Sequence, residues 1–481
     1  MIDNEPIIVG GGLTGSLAAI TLARRGLTPR VIERGPPHDS TEAPSGRTIN
    51  LALADRGLAA LEAAGVRAAI EPLLLPMTGR IIHDRRGHIH RLPYGQRPTE
   101  QIYSVSRAQL SRRLFEVARD RHGVAYHFNL NCLDYQPKSG QLTLQNNERA
   151  REARIGASES PESANATSRA TTTADQHAAE DTFELETPLL IGADGAGSVI
   201  RRALAAAGLT SNDEALLDHG YKELLIQAGP DGSHRIAADG LHIWPRGGFM
   251  LIALPNTDGT FTATLFLPQK GSQSFKAAQN NPVDFFRTEF PDALELLPDL
   301  EDQFAANPVG IMGTVYCDTW HHSVPRKPGQ AQHECLLLGD AAHAIVPFHG
   351  QGINAGFEDC VVLDKLLDRF GTDWAKACAS FAAQRPTDTR AIATMALENY
   401  IEMRDGVRDP QFERRRKLAF ELERLTEGRF TPRYSLVMFH AEIGYAEAER
   451  RGAIQADILQ RATATDEDDI ELALTLVDER L

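Results

Sequence analysis

A glycine-rich segment near the start of the chain has the spacing of a turn that binds a dinucleotide. The residues Gly10-Gly11-Gly12-Leu13-Thr14-Gly15 satisfy the pattern G-x-G-x-x-G, directly after the apolar run Ile7–Val9. In such a turn the first glycine permits a sharp bend, the second lets the backbone approach a pyrophosphate, and the third lets helix and strand pack closely. Glu33, about 20 residues further on, can accept hydrogen bonds from a ribose hydroxyl. We therefore predict a dinucleotide site at this turn.

Two aspartates, further along the chain, each follow the end of an apolar run. Asp194 lies in the segment LLIGADGAGSVIR, and Asp340 lies in LLLGDAAHAIVPFHGQG, which runs from Leu336 to Gly352. In both segments small residues follow the acid and leave the backbone open to a ligand. Either acid alone also has an ordinary interpretation, as part of a strand-to-helix turn at Asp194 or as a helix N-cap at Asp340. However, the combination of these two segments with the glycine-rich turn is much rarer than any one of the three alone.

The composition excludes several classes of function. The chain has 481 residues and a formal net charge of −15, which argues against binding of nucleic acid through a basic surface. Its five cysteines are scattered without a C-x-x-C pair, so we expect neither a disulfide framework nor a bound metal. The chain enters an apolar strand almost at once, and no apolar run reaches the length of about 18 residues that spans a membrane. We predict a cytoplasmic protein.

The elements that must position these residues begin with strand, turn, helix and strand, which indicates a Rossmann-like α/β unit. The helical pattern runs from Leu17 to Arg25, and the second strand runs from Arg30 to Glu33. A mostly antiparallel sheet with one open face is predicted over His219–Phe266. Strands with turns are predicted over 125–145 and 183–191. Helices are predicted over Leu58–Leu75, Arg107–Asp120, Asp284–Leu300, Phe357–Phe370 and from there to the C-terminus.

The three nucleotide-binding segments occur in an order and spacing that resemble the single-component (class A) FAD-dependent aromatic hydroxylases, over most of the chain. Finer matches point to the members that act on L-kynurenine, in GRTINLALADRG (46–57), 76–95, YSVSRAQL (103–110), LHIWPR (241–246), 339–360 and NYIEMR (399–404). The chain departs from the family in a polar insertion, 148–181, which is too poor in large apolar residues to order itself. It also lacks the hydrophobic C-terminal anchor of the animal enzymes, which fits a soluble bacterial type.

The resemblance implies a monooxygenase that keeps FAD bound and uses NADPH and O₂ as co-substrates. Reduced FAD would form a C4a-hydroperoxide, whose distal oxygen is transferred to L-kynurenine to give 3-hydroxy-L-kynurenine. The ring is already activated by its ortho amino group, so orientation and exclusion of water matter more than a strong base. The same chemistry on another ortho-aminoaryl substrate and a flavin-dependent reductase remain alternatives. A halogenase is disfavoured, because Trp244, Trp320 and Trp374 lie too far apart for a Trp-x-Trp pattern.

The resemblance assigns cofactor contacts to residues far apart in sequence. Arg107 would reach the FAD phosphates, unless it is a solvated helix residue, and Asp340 would bind the ribitol chain. The segment that follows Gly350 would present a helix N-terminus to the flavin pyrimidine edge. The full predicted set is Gly10, Gly12, Leu13, Thr14, Gly15, Glu33, Arg34, Arg107, Asp194, Asp340, Gly350, Gly352, Ile353 and Asn354.

The resemblance also implies a substrate pocket. Arg80 and Tyr94 would bind the carboxylate of an amino acid, since a planar guanidinium suits that group. Asn399, Glu402 and Met403 share one helix face through their i, i+3 and i+4 spacing, and are expected beside the substrate. Without the resemblance, Asn399 and Glu402 would be surface polar residues and Met403 would be core. The remaining predicted substrate contacts are Phe266, for which core packing is an alternative, and Tyr434.

Pro347, Phe348 and His349 are the residues predicted on the catalytic side of the flavin. We expect His349 to shape the pocket and relay a proton rather than to act as an obligatory base. His343, which matches a family position within the turn, is expected to be structural.

The predicted domain organisation interleaves two units. Residues 1–75, 98–220 and 330–375 are expected to form the FAD-binding domain, with 148–181 as a disordered insertion. Residues 76–97 and 221–329 would form the substrate-binding sheet, and 376–481 a helical region that closes the pocket. The predicted partners are L-kynurenine, O₂ and NADPH. The oligomeric state is left open, a homodimer included.

Overall fold

A computed structural model describes residues 5–37, 50–147, 182–324, 332–404 and 410–481. The predicted insertion at 148–181 and the start of the 46–57 motif lie outside these residues. The strands are β1 (Ile7–Val9), β2 (Arg30–Ile32), β3 (Asn50–Leu53), β4 (Leu75–Met77), β5 (Gly79–His83), β6 (Ile89–Pro93), β7 (Ile102–Ser106), β8 (Ala125–His127), β9 (Leu130–Gln136), β10 (Gln141–Asn146), β11 (Thr182–Glu186), β12 (Leu189–Gly192), β13 (Asp213–Ile226), β14 (Gly240–Pro245), β15 (Met250–Pro255), β16 (Phe261–Pro268), β17 (Gly310–Tyr316), β18 (His321–Val324) and β19 (His333–Leu337).

The helices are α1 (Leu13–Arg24), α2 (Asp55–Ala63), α3 (Arg67–Ile70), α4 (Arg107–His122), α5 (Val199–Ala206), α6 (Phe275–Ala278), α7 (Pro282–Glu289), α8 (Pro291–Leu294), α9 (Leu300–Ala306), α10 (Asp340–His343), α11 (Gly352–Phe370), α12 (Trp374–Arg404), α13 (Pro410–Leu425), α14 (Arg433–Phe439), α15 (Tyr445–Ala462) and α16 (Ile470–Arg480). Two 3-10 turns occupy Glu71–Leu73 and Pro347–His349.

A six-stranded sheet in the order β18-β19-β12-β1-β2-β8 carries the three cofactor segments. Its strands run parallel except for β18. Strands β1, β12 and β19 are buried throughout, as expected of parallel strands that are covered on both faces. Ala193 N donates to Val9 O and Leu338 N to Gly192 O, at 2.8 and 2.9 Å. The three segments therefore leave the sheet side by side, and the predicted α/β fold is confirmed.

Two of the predicted helices are interrupted. The segment Leu58–Leu75 contains the end of α2, then α3 and a 3-10 turn, and Leu75 already begins β4. Gly65 follows α2 in the left-handed region, with φ at +69°, which is a common way for a helix to end. The segment Asp284–Leu300 breaks where Pro291 begins α8, because proline cannot continue the hydrogen-bond pattern of α7.

A seven-stranded sheet in the order β17-β13-β16-β15-β14-β5-β6 confirms the predicted antiparallel region, with one parallel pair between β14 and β5. The prediction of one open face is wrong, since β16 is buried almost throughout. Phe261 and Leu265 pack in the same cluster as Phe286 of α7. Phe266 projects from the other face and packs against Phe348. Both faces are covered because α6 to α9 pack on one of them, and the Pro347–His349 turn and α12 pack on the other.

Helices dominate the C-terminal region, as predicted. Helix α12 is 31 residues long and packs against α11 and α15. Within the described ranges, no helix is long and apolar enough to cross a membrane.

Candidate functional site

A cavity of about 690 Å³ opens between the carboxyl edge of the six-stranded sheet and one face of the seven-stranded sheet. It brings together nearly all of the residues predicted from the sequence. Of the predicted cofactor residues, Gly15 and Asn354 do not line it, and of the predicted substrate and catalytic residues, Asn399 and Glu402 do not. The predicted cofactor and substrate sites are therefore two ends of one space.

The glycine-rich turn fits a nucleotide by the contacts that a side chain would make there. A Cβ atom on Gly10, whose φ is +105°, would stand 2.3 Å from Ala193 O, and one on Gly15 would stand 1.9 Å from Gly10 O. Both glycines are thus required by close packing of strand and helix. A Cβ on Gly12 would meet no described atom within 4 Å and would project into the cavity. Helix α1 begins directly after it, at Leu13, four residues earlier than predicted.

Charged residues surround this turn. The Glu33 carboxylate accepts hydrogen bonds from Gly11 N and Gly35 N, both at 2.7 Å, and is thereby fixed at the end of β2. Arg34 and Arg107 are exposed at the rim of the cavity, and Arg107 is the first residue of α4. The site therefore offers a carboxylate for a ribose and two guanidinium groups for phosphates.

The two later carboxylates both line the cavity. Asp194 Oδ2 accepts from Val199 N at 2.7 Å, whereas its Oδ1 is buried without a hydrogen-bond partner in the described ranges. Burial raises the pKa of Asp194. Asp340 is exposed on the cavity side, and the N-cap interpretation of this residue is wrong: Gly339 occupies the cap position and no side chain caps α10.

The loop between α10 and α11 lines the cavity up to Gly350. Gly352 and Ile353, at the start of α11, line the cavity as predicted positions for the flavin edge. Asn354 does not. Its Nδ2 donates to Ala52 O at 2.9 Å and to Gly350 O at 2.7 Å. Its Oδ1 accepts from Ala54 N at 2.9 Å. The amide is thus engaged in joining α11 to β3 and to the residue before α2, and it does not face the cavity.

Arg80 projects from β5 into the opposite end of the cavity. Its guanidinium donates to Glu402 Oε1 at 3.0 Å and to Asn399 Oδ1 at 3.2 Å, and lies 5.0 Å from the centre of the Tyr434 ring. Burial opposes its charge, but Tyr434, Glu402 and Tyr94 outweigh burial and raise the pKa of Arg80. A permanently charged, oriented cation therefore faces the cavity.

Tyr94 follows β6 and stands next to Arg80. Its ring stacks on Tyr434 with 5.6 Å between ring centres. Its buried hydroxyl has no hydrogen-bond partner in the part of the chain that the structure describes. Burial raises its pKa well above the ordinary value, so the hydroxyl stays protonated and can donate to an anion.

The helix face predicted at Asn399, Glu402 and Met403 exists in α12, but these residues make different contacts. Met403 lines the cavity. Asn399 and Glu402 hold Arg80 instead, and Asn399 Nδ2 also donates to Phe348 O at 2.6 Å. They therefore stand behind the cation rather than on the cavity surface.

The wall beside the flavin positions is aromatic. Phe348 packs against Phe266 and stacks on Tyr400, with ring centres 5.0 and 4.1 Å apart. His349 is 6% exposed, stacks on Tyr434 at 5.3 Å, and its Nδ1 has no hydrogen-bond partner within the described residues. Burial, together with the charges of Arg80 and Arg433, lowers the pKa of His349 to about 3. Its imidazole is therefore neutral near pH 7.

His343, expected to be structural, does not line this cavity. Its Nε2 lies 2.6 Å from Asp359 Oδ2, and its ring stacks on Trp320. Sequence reasoning missed several wall residues of the seven-stranded sheet, although alternation along β15 and β16 could have identified three of them. The missed residues of this sheet include Tyr221, Leu241, Ile252, Leu254 and Thr264, and Met438 of α14 was missed as well.

Comparison with known proteins agrees with this geometry. Residues 3–244 and 317–386 match the family model described as FAD binding domain. The chain is therefore an FAD-binding protein. The solved structure of HpxO from Klebsiella pneumoniae, complexed with FAD and uric acid, is similar in fold, with a TM-score of 0.61 at 18% identity, over 88% of this chain and 95% of that one.

Close relatives narrow the class. The kynurenine 3-monooxygenase of Stenotrophomonas maltophilia (strain K279a) is 41% identical over 460 residues, which are 95% of this chain and 91% of the relative. That of Myxococcus xanthus (strain DK1622) is 40% identical over 98% of this chain and 95% of the relative. The chain belongs to the kynurenine 3-monooxygenase family.

Proposed function

We propose that this protein hydroxylates L-kynurenine to 3-hydroxy-L-kynurenine, with FAD as bound cofactor and NADPH and O₂ as co-substrates. Beyond family membership, one observation carries the proposal. A buried, oriented guanidinium and a protonated tyrosine hydroxyl, Arg80 and Tyr94, face the same cavity as the nucleotide turn. An amino-acid substrate can thus be held by its carboxylate while its ring extends towards the flavin end.

Arg80 binds and orients the substrate carboxylate in this proposal, with Tyr94 as a second donor. A guanidinium held by other groups loses less conformational freedom on binding than a mobile one. Glu402, Asn399 and Tyr434 provide that support before the substrate arrives. Because Glu402 also balances the charge of Arg80, the free site does not hold an isolated buried cation.

The glycine-rich turn, Glu33 and Arg107 would hold the adenosine and diphosphate of FAD, and the backbone at Gly352 and Ile353 would face its ring. A bound FAD supplies the redox chemistry, in which two electrons from NADPH let one atom of O₂ reach the ring and the other leave as water. Phe266, Phe348 and Met403 exclude water from the space between the two ends.

His349 shapes the wall and can pass on the proton that the ring carbon loses. Its neutral imidazole and its buried Nδ1 suit a relay. The substrate is already activated by its ortho amino group, so the reaction does not depend on a strong base in the protein.

Chromatography of the products tests the proposal. Purified FAD-loaded enzyme is incubated with L-kynurenine, NADPH and O₂, and we expect 3-hydroxy-L-kynurenine in proportion to the NADPH consumed. Oxidation of NADPH with H₂O₂ as the sole product would contradict the proposed substrate. Product formation without O₂ would instead support a reductase.

The amino-acid tail separates kynurenine from other ortho-aminoaryl substrates. If Arg80 binds a carboxylate, an ortho-aminoaryl ketone without that tail should be turned over with a much lower kcat/KM. Equal kcat/KM for both compounds would show that the tail is not recognised.

A further inference from the structure

A cluster of two imidazoles and one carboxylate lies at the tip of the β5–β6 hairpin, away from the cavity. It consists of Asp84, His88 and His90, which offer one ligand atom each, all within 4.8 Å of one another. His88 Nδ1 lies 3.0 Å and His90 Nε2 lies 3.8 Å from the same oxygen, Asp84 Oδ2. The proposed function uses none of the three.

The backbone holds this cluster in place. Asp84 Oδ1 accepts hydrogen bonds from Arg86 N at 2.7 Å and from His88 N at 2.9 Å, so its other oxygen is turned towards the histidines. His88 directly precedes β6 and His90 is its second residue, and residues two apart along an extended chain project to the same side. The carboxylate is thus positioned by bonds that a metal ion would not have to break.

Two arginines of the hairpin are directed away from the cluster. Arg85 pairs with Glu289 at 2.8 Å and Arg91 pairs with Asp239 at 2.7 Å. Their charges are therefore balanced by carboxylates other than Asp84.

Although the sequence led us to expect no bound metal, we propose that Asp84, His88 and His90 bind a divalent transition metal ion of the Zn²⁺ type. Two imidazoles and one carboxylate form a ligand set that suits Zn²⁺, and ligands at about 2.1 Å from one ion lie about 3.4 Å apart in tetrahedral geometry. The present separations require a small inward rotation of the His90 ring, which is 60% exposed and free to turn. Solvent completes the coordination.

The ion would join β5 and β6, the hairpin that positions Arg80, which is the cation proposed to bind the substrate carboxylate. Arg80 lies in β5 and Tyr94 directly follows β6, at the opposite end of the hairpin from Asp84. Because an ion that binds only the folded hairpin stabilises it by mass action, the metal would resist separation of these strands. The site would thereby support the geometry of the cavity without contacting a substrate.

Calorimetric titration of the FAD-loaded, tag-free enzyme with Zn²⁺ tests the site, after removal of metals with a chelator. We expect one Zn²⁺ per wild-type chain, and an affinity at least tenfold weaker in His88→Ala and in His90→Ala. His440→Ala is the matched control, since it removes another histidine–carboxylate pair, with Glu442 at 2.8 Å, that has no third ligand among the described residues. We expect its Zn²⁺ affinity to equal that of the wild type.

Two results would overturn the proposal. One is a wild-type enzyme that takes up no Zn²⁺ at millimolar free ion. The other is an unchanged affinity and stoichiometry in both His88→Ala and His90→Ala. Both substitutions affect exposed side chains at a hairpin tip, so circular dichroism and retained FAD will show whether each variant is folded.

Discussion

At the scale of single residues, the site is defined by which groups are charged inside a buried space. Arg80 keeps its charge because Glu402, Asn399 and Tyr434 surround it, whereas His349 loses its charge because burial outweighs the hydrogen bond within its own residue that favours the charged form. The two residues lie at the same end of the cavity, where the charge of Arg80 itself lowers the pKa of His349. This end of the cavity therefore offers one cation for an anionic group and one neutral ring nitrogen.

Substitution of Arg80 by lysine tests the role of the guanidinium. Loss of a charge-assisted hydrogen bond costs about 1.5–3 kcal/mol, so we expect KM for L-kynurenine to rise about 10- to 100-fold, with a smaller change in kcat. Steady-state product formation measures both constants. Arg91→Lys is the control, because Arg91 lies on the same hairpin in an exposed pair with Asp239. An unchanged KM in Arg80→Lys would remove this residue from substrate binding.

The neutral state of His349 predicts a pH dependence of stability. Its folded-state pKa of about 3 lies below the unfolded value of about 6.5, so acid favours the unfolded chain. This contribution is complete above about pH 6.5 and is lost as the pH falls towards 3, by about 1.4 kcal/mol per pH unit. Between pH 7 and 5, His349→Asn should therefore lose about 2 kcal/mol less stability than the wild type in urea unfolding. Equal losses would show that folding does not lower the pKa of His349.

At the scale of elements, the glycines of the turn between β1 and α1 have two different roles, one in packing and one in ligand binding. Gly15 is required by the contact of α1 with Gly10 O, whereas Gly12 borders open space. We expect Gly12→Ala to fold normally but to bind FAD at least tenfold more weakly, since the new methyl group occupies the place of the diphosphate. Gly15→Ala should lose both folding and FAD.

Fluorescence titration with FAD and thermal unfolding of the apoprotein distinguish the two variants. A Gly12→Ala enzyme with wild-type FAD affinity would show that the diphosphate does not approach this residue.

The buried carboxylate of Asp359 and its hydrogen-bond partners form a clamp that joins α10 to α11. Asp359 Oδ2 accepts from Gly339 N at 2.8 Å and contacts His343 Nε2 at 2.6 Å, and its Oδ1 accepts from Arg385 Nε at 2.9 Å. The clamp fixes the turn that presents Asp340 to the cavity. Because Asp359 is wholly buried, its neutral replacement leaves Arg385 partly uncompensated.

We therefore expect Asp359→Asn to weaken FAD binding about tenfold and to lower stability by about 3 kcal/mol. Asp364→Asn, further along α11, removes one of the two carboxylate partners of Arg25 and serves as control. Retention of wild-type FAD affinity and stability in Asp359→Asn would contradict the role of the clamp.

At the scale of the whole molecule, the sequence predicted the cofactor end better than the substrate end. The glycine-rich turn could be predicted because its G-x-G-x-x-G spacing is a local pattern, although the contact of Gly10 with Ala193 O depends on the tertiary fold. Asn354 could not, since its partners Ala52 and Ala54 are brought to it only by tertiary packing. Helical spacing placed Asn399, Glu402 and Met403 on one face, but it did not determine that only Met403 reaches the cavity.

The C-terminal helices are joined to the cofactor loop by a buried hydrogen bond from Tyr445 OH to Gln351 Oε1, at 2.7 Å. We expect Tyr445→Phe to reduce stability by about 1 kcal/mol and to increase the fraction of NADPH consumed as H₂O₂, because a looser closure admits water. Parallel assays of H₂O₂ and hydroxylated product measure this fraction. An unchanged fraction would indicate that α15 does not help to close the cavity.

The strand order of the six-stranded sheet has a consequence for biosynthesis. Its central strands come from residues 7–9, 189–192 and 333–337, and β12 lies between β1 and β19. A nascent chain on the ribosome therefore cannot complete this sheet until more than two thirds of the polypeptide has been made. Until then β12 exposes an unpaired apolar edge, the kind of surface that chaperones protect. Synthesis of this protein should accordingly be sensitive to chaperone supply, and cofactor capture should follow the emergence of α11.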